Sequence, residues 1–285
     1  MLTVRYPKID FSSCFPHWTP HTEFAQYFNA VSMLPCGLEP FAINVFNKAK
    51  GRLHPVKDAQ LIREIELFIG QEAQHFRQHN KFNKCFKTER YPRIVEIERA
   101  FIDELNSFIE HHSLEFCLGY VEGFEAWGIV WSQLWFEELG EFKRGSMSQP
   151  LELFSWHYAE EFEHRDIAFR LYMALAARGS LWRRIYYGYF YRAWVTRFAI
   201  HHMAKHANRA RGHLLEVDRA AMSAEDRAAS VEREKAMLLQ IGTLLKKGAR
   251  ALYSPFYHPA RKRTPLGLTE ALDRYEPRKL AACQF

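Results

Sequence analysis

The fold is decided by EIELFIGQEAQHFRQHNKFN, residues 64–83, read together with WHYAEEFEHRDIAFRLY, residues 156–172. Each stretch contains Glu-x-x-His: Glu72-Ala73-Gln74-His75 in the first, Glu161-Phe162-Glu163-His164 in the second. On a helix, residues three apart share a face, one turn above the other. A carboxylate and an imidazole at that spacing grip one metal ion from a single rigid rod. A lone Glu-x-x-His arises easily by chance in a chain with 14 histidines. Two copies, nearly ninety residues apart and both set among apolar residues, are a stronger signal. Those neighbours are Phe68, Ile69 and Phe76 in one case and Trp156, Phe162 and Ile167 in the other. They predict interior faces.

Two further carboxylates complete a set. Glu39 lies in LPCGLEPFAINVF (34–46), and Glu122 and Glu125 lie in CLGYVEGFEAWGIVW (117–131), both strongly apolar runs. A buried carboxylate without a partner costs several kcal/mol, so an acid in such a run has a partner. The chain order becomes Glu, Glu-x-x-His, Glu, Glu-x-x-His, with each acid on its own helix. Ferritin-like carboxylate bundles hold two metal ions with this donor set. The expected fold is therefore all-α, a ferritin-like four-helix bundle with additional connecting and C-terminal helices. The expected ligands are Glu39, Glu72, His75, Glu122, Glu161 and His164, with Glu122 favoured over Glu125. Glu125, His79 and His157 are further candidates. His79 is seven residues after Glu72 and His157 four before Glu161, nearly in line with each motif, as third ligands, outer partners or proton donors. Glu115 shares the face of Glu122 and is a weaker candidate. Glu160 and Glu163 are expected to point away from the ions and pair with Arg165 or other basic groups. His202 and His206 have metal-binding spacing, but no carboxylate completes their set.

The rest of the chain punctuates helices. Residues 1–20 read as irregular. Helices are expected over about 22–50, disturbed at Pro35, then 58–86, 92–110, 113–139, 149–178, 181–207 and 223–251, with a Pro-rich tail wrapping the surface. These form one domain, the core bundle at 22–178 and a helical extension at 180–285. The composition, 48% hydrophobic and 25% charged, suits a soluble globular chain. Five scattered cysteines without a C-x-x-C pair argue against a disulfide framework or zinc ribbon. No secretory signal and no run of about 18 apolar residues is seen, so a cytoplasmic location is expected. The net charge of +6 collects late, at Arg183, Arg184, Arg192, Arg197, Lys246, Lys247 and beyond. No nucleic-acid recognition motif accompanies it, and nucleic acid is not an expected partner. The basic aromatic helix at 181–207 suits peripheral contact with an anionic membrane.

FNAVSMLPCGLEPF (28–41), residues 64–83, GYVEGFEAWG (119–128) and residues 156–172 resemble the bacterial ferritin-like proteins described as predicted metal-dependent hydrolases. The resemblance spans about 27–172, with weaker likeness in PFYHP (255–259). It implies the same six ligands: Glu39, Glu72, His75, Glu122, Glu161 and His164. The chain departs from the family pattern at Leu38, where Gly is usual, and at Glu125, where Thr is common.

The donor set of hard carboxylates and borderline imidazoles suits two Fe ions, with Mn or Zn as substitutes. The leading functional expectation is an O2-activating di-iron oxidase or oxygenase. Glu72 and Glu161 would bridge, His79 and His157 would serve as catalytic neighbours, and an electron donor would be a partner. A metal-dependent hydrolase using activated water, or a ferroxidase, is the alternative. Phe41, Phe46, Phe68, Phe124, Trp127, Trp131 and Trp156 are expected to line a pocket for a small hydrophobic or aromatic substrate. A homodimer through an apolar helix face is expected.

Overall fold

The computed structural model describes residues 2–275, and these are all-α. Four helices form a closed ring: α2 (Pro35–Lys50), α3 (Ala59–Asn83), α7 (Ser148–Glu163) and α5 (Leu114–Glu137), each packed against the next and α5 back against α2. These are the helices that carry the acids and histidines singled out above. A second layer covers the ring. α10 (Arg192–Ala220) lies along α5 and also packs on α1 (Thr22–Ser32) and α4 (Ile94–His111). α11 (Ala224–Ala249) packs on α5 and α1, and α12 (Leu268–Asp273) closes over α7.

The helix boundaries follow local chemistry. The expected helix over 22–50 is broken, because Pro35 has no N–H to continue α1 and instead opens α2 at its first position. Ser113 and Ser223 cap α5 and α11, their hydroxyls accepting the N–H groups of Phe116 and Asp226. The expected helix over 149–178 is also two helices. α7 ends at Glu163, His164 sits in a turn with φ −94° and ψ 8°, and α8 (Ile167–Leu175) follows. Gly179 then turns the chain at φ +125°, a conformation side chains disfavour. Short helices α6 (Gly140–Lys143) and α9 (Leu181–Ile185) complete the set, the latter running through one π-helical turn (Tyr186–Tyr191) into α10.

α10 is fixed at both ends by buried charge. Near its start Arg192 donates to Glu122 of α5 at 3.2 Å. Near its end Asp218 accepts from Gln26 (2.6 Å), Tyr91 (2.7 Å) and Arg90 (2.9 Å), and pairs with His17 at 2.8 Å. Burial works against the Asp218 charge, but these donors hold its carboxyl at about 2. Between the two ends, α10 approaches α5 so closely that a Cβ on Gly123 would lie 2.9 Å from the Thr196 Cα. Gly123→Ala should therefore push the helices apart and cost about 1–3 kcal/mol. Thermal unfolding followed by circular dichroism checks this: a lower midpoint with native helicity is expected, and an unchanged midpoint would show that the close approach is no constraint.

Candidate metal centre

The ring of helices brings seven donors together in the interior. α2 supplies Glu39, α3 supplies Glu72 and His75, α5 supplies Glu125, and α7 supplies His157 and Glu161, with His164 at its C-terminal cap. All seven are buried. They fall into two groups, Glu39–His75–His157 and Glu72–Glu125–Glu161–His164, with the donor atoms of each group within 4.8 Å of one another. Glu161 links the groups. Its Oε1 lies 3.7 Å from His75 Nδ1 and 3.3 Å from His157 Nε2, while its Oε2 lies 3.6 Å from His164 Nε2. Glu72 Oε1 faces both motif histidines, at 3.6 Å from His75 and 3.5 Å from His164.

These atoms fit a pair of cations better than they fit each other. Both carboxylate oxygens of Glu39, Glu72 and Glu125, together with His75 Nδ1 and His164 Nε2, make no hydrogen bond. Each orphaned buried group costs about 1–3 kcal/mol, more when charged. Donors about 2.1 Å from a shared ion stand roughly 3.0–3.5 Å apart, and the spacings of Glu125 and Glu161 from the histidines run from 3.1 Å between Glu125 Oε2 and His164 Nε2 to 3.7 Å between Glu161 Oε1 and His75 Nδ1. The electrostatics agree. Burial and then the carboxylates of Glu72 and Glu161 push Glu39 well above the usual carboxylate range. Burial and Glu161 do the same to Glu125. Burial opposes charge on the two motif imidazoles too, yet the nearby carboxylates of Glu160 and Glu72 raise His75 to about 9, and those of Glu125 and Glu161 raise His164 well above its usual value. Without ions, protons on these groups stand where cations belong.

The outward nitrogens of the imidazoles are held in place. His75 Nε2 donates to Glu160 at 3.0 Å, and Glu160 is held in turn by Arg5 at 3.0 Å. His164 Nδ1 donates to Gln71 Oε1 at 3.2 Å; the Gln71 amide donates to Thr3 O and Glu163, and Glu163 also pairs with Arg5. The remaining nitrogen of each ring then turns its lone pair inward, which is how outer hydrogen bonds orient metal-binding histidines. A third chain orients His157. Asn83 donates from its amide to Ser32 O, so its carbonyl accepts from the Ser32 hydroxyl. Ser32 accepts from His79 Nδ1 at 2.7 Å, and His79 Nε2 accepts from His157 Nδ1 at 2.9 Å. Burial keeps both rings uncharged, His79 well below its usual value. His157 Nε2 therefore faces the centre as a bare lone pair. Phe68 packs edge-on against His164 and Trp156 against His75, which fixes the rings further.

Several sequence expectations are corrected. Glu122 does not join the centre; its carboxylate takes Arg192 and the Thr196 hydroxyl at 3.3 Å, and Glu125, one turn on, is the α5 carboxylate that faces the other donors. Glu115 faces Arg183 at 3.8 Å instead. His79 is not a donor, since Ser32 and His157 occupy both its nitrogens. Glu160 turns toward His75 rather than away, and the base that pairs with Glu160 and Glu163 is Arg5; Arg165 instead lies over the Phe162 ring. Arg5 and Gln71 were not singled out by the sequence: neither is in a motif, and Arg5 comes from an irregular segment with no periodicity. Of the seven expected pocket aromatics, Phe124, Trp127 and Trp131 line a cavity of about 280 Å³ that also touches Glu39, Glu72, His157 and Glu161. Phe41, Phe46, Phe68 and Trp156 pack in the core.

The family model described as predicted metal-dependent hydrolase matches residues 3–263. The chain belongs to this family. Neither the curated proteins nor the solved structures gave a match. The family description overturns the leading expectation of an O2-activating oxidase or oxygenase and supports the hydrolytic alternative. O2 and an electron donor belonged to the overturned reading.

The two acids of α5 give opposite tests. Glu125→Gln should remove bound metal, while the metal-free protein keeps or gains stability because a crowded buried charge is gone. Glu122→Gln should keep full metal content yet lose about 3 kcal/mol, because Arg192 loses its buried partner. Metal counting and chemical unfolding on both variants check this; metal loss in Glu122→Gln with retention in Glu125→Gln would reverse the assignment.

Proposed function

We propose that this protein is a ferritin-like carboxylate bundle put to hydrolytic use, holding two divalent ions and cleaving a small, largely apolar carboxylic ester or amide. The observation that carries the reading is that one cavity is walled both by the donors Glu39, Glu72, His157 and Glu161 and by apolar side chains such as Leu38, Phe124, Trp127, Trp131 and Met203. An apolar substrate body gains affinity there and excludes water from the centre. Asn208 and Arg211 are the polar groups on the α10 wall. Arg211 already pairs with Glu234 at 3.1 Å, so a neutral polar group suits that end better than a full anion.

When bound, the ions would supply Lewis acidity and lower the pKa of a water to near neutrality. Glu72 and Glu161, each facing donors of both groups, would span the pair; Glu39 and His75 would serve one ion, Glu125 and His164 the other. The donor set of hard oxygens with imidazole suits Fe2+ or Mn2+, with Zn2+ the choice that metal counting decides. His157, on the cavity wall with Nε2 3.3 Å from Glu161, either completes the first group or takes up a proton from water. His79 and Ser32 fix its orientation for either role.

Chelator-stripped protein, reloaded with Fe2+, Mn2+ or Zn2+, should hydrolyse aryl and alkyl esters or amides at equal rates in air and under nitrogen. Glu72→Gln should lose at least a hundredfold in kcat/KM. Turnover that requires O2, or no hydrolysis by any reloaded form, would sink the reading.

The segment around α9 supports a proposal about a partner. Leu181, Trp182, Ile185, Tyr186, Phe190 and Trp194 are all exposed, Trp182 at 79%. No acid occurs between Asp166 and Glu216, while Arg178, Arg183, Arg184 and Arg197 lie within the segment. Self-association through this face would bring arginines together, whereas an anionic lipid surface complements them. No helix among the described residues is long and apolar enough to cross a membrane, which leaves surface contact. Co-sedimentation with phosphatidylserine-containing vesicles is expected, and Trp182→Ala with Phe190→Ala should reduce it at least tenfold. Equal binding by the double variant, or dimerisation of wild type that the double variant abolishes, would reject it.

A further inference from the structure

Away from the buried centre, α10 and α4 hold a second cluster of ligating side chains. His202 and His206, one turn apart on α10, are buried, and both point Nε2 at Glu104 of α4. Glu104 Oε2 lies 2.8 Å from His202 Nε2 and 3.2 Å from His206 Nε2, and the three donor atoms are mutually within 4.8 Å. The carboxylate that the α10 sequence lacks is thus supplied by a different helix, at a separation of about a hundred residues. No spacing rule within one helix reveals it.

From this convergence we infer that Glu104, His202 and His206 form a third metal site, distinct from the buried pair and suited to Zn2+ or a similar late transition ion. Two imidazole nitrogens and one carboxylate oxygen are a common zinc donor set, with a fourth position left for water. Without an ion, Glu104 Oε2 takes three donors: both histidines and Lys205 Nζ at 3.1 Å. One carboxylate oxygen has two lone pairs, so a cation in place of the two N–H groups relieves crowding. The rings are already set for this. Tyr120 OH lies 2.7 Å from the outward Nδ1 of His202, ready to accept its N–H. Phe101 packs against both rings at 5.3 and 4.8 Å, and Phe198 lies parallel to His202. Glu104 is partly exposed, so the ion has a route from solvent.

The position has a consequence for the cavity. Met203 and Ala207, each next to one of these histidines, line the cavity that touches the buried centre. An ion here ties α4 to the cavity wall, and does so whether or not the buried centre is hydrolytic.

The test uses the full chain, stripped with chelator and titrated with Zn2+ by calorimetry, with bound metal counted after gel filtration. Wild type should hold one Zn2+ more than the Glu104→Gln and His206→Gln variants, each of which should bind that ion at least tenfold more weakly. Glu72→Gln, damaged at the buried centre, should retain it. With Co2+ in place of Zn2+, a visible d–d absorption should persist in Glu72→Gln and fall by one ion's contribution when His206→Gln is added to that variant. Glu104 is partly exposed and its Gln variant is close in shape, so native circular dichroism is expected and separates ligand loss from misfolding. Lys205→Met removes the competing cation and should tighten binding. Equal Zn2+ stoichiometry and affinity in wild type, Glu104→Gln and His206→Gln would overturn the site.

Discussion

The constraint on which the structure depends is electrostatic: four carboxylates and three imidazoles share one interior space. In a low-dielectric core such a cluster repels itself and leaves lone pairs unsatisfied. Cations between the donors would resolve both difficulties at once. The surroundings are consistent with that demand. Arg5, Gln71 and Ser32 do not enter the cluster; they fix the outer faces of His75, His164 and His157 so that their lone pairs converge. Gly128 makes room, since a Cβ there would stand 2.6 Å from Glu161 Oε2. The carboxylate that touches both donor groups is thus placed where the opposite helix has no side chain. A site built this way trades metal-free stability for metal affinity.

The sequence made much of this legible because metal ligation needs regular spacing. Two Glu-x-x-His pairs and isolated acids in apolar runs gave the four ring helices and most of the donors. What it did not give were choices between equivalents. Glu122 and Glu125 sit one turn apart in the same apolar run; a burial argument applies equally to both, and each is buried. They differ only in what faces them, and Arg192 lies seventy residues away on a helix whose packing no local pattern specifies. The break at His164 was hidden for a related reason: no Pro or Gly marks it, and the turn is fixed by tertiary contacts around the imidazole. Glu104 with His202 and His206 shows the same limit, since ligands from two helices carry no common spacing.

Buried acids here are neutralised in two distinct ways. Glu122 has an arginine and a hydroxyl; although burial pushes its pKa up, Arg192 pulls it back and the pair needs nothing else. Glu39 and Glu125 have no arginine and no hydrogen bond to either oxygen. This contrast is the clearest physical mark of function in the chain. A structural acid is given a permanent partner, whereas an acid kept for a ligand is left without one.

α10 joins these themes. Along one helix it carries Arg192 for Glu122, Thr196 against Gly123, the His202 and His206 pair, the cavity-lining Met203 and Ala207, and Asp218 with its four partners. Ionic contacts near both ends fix its register against α5 and the N-terminal segment. A wall held that firmly cannot adapt its shape to many ligands, so cavity shape itself restricts which apolar body can approach the donors. The extension beyond the ring of four helices is therefore part of the cavity: the ring contributes carboxylates and a histidine to its wall, and α10 contributes the side chains that shape the rest.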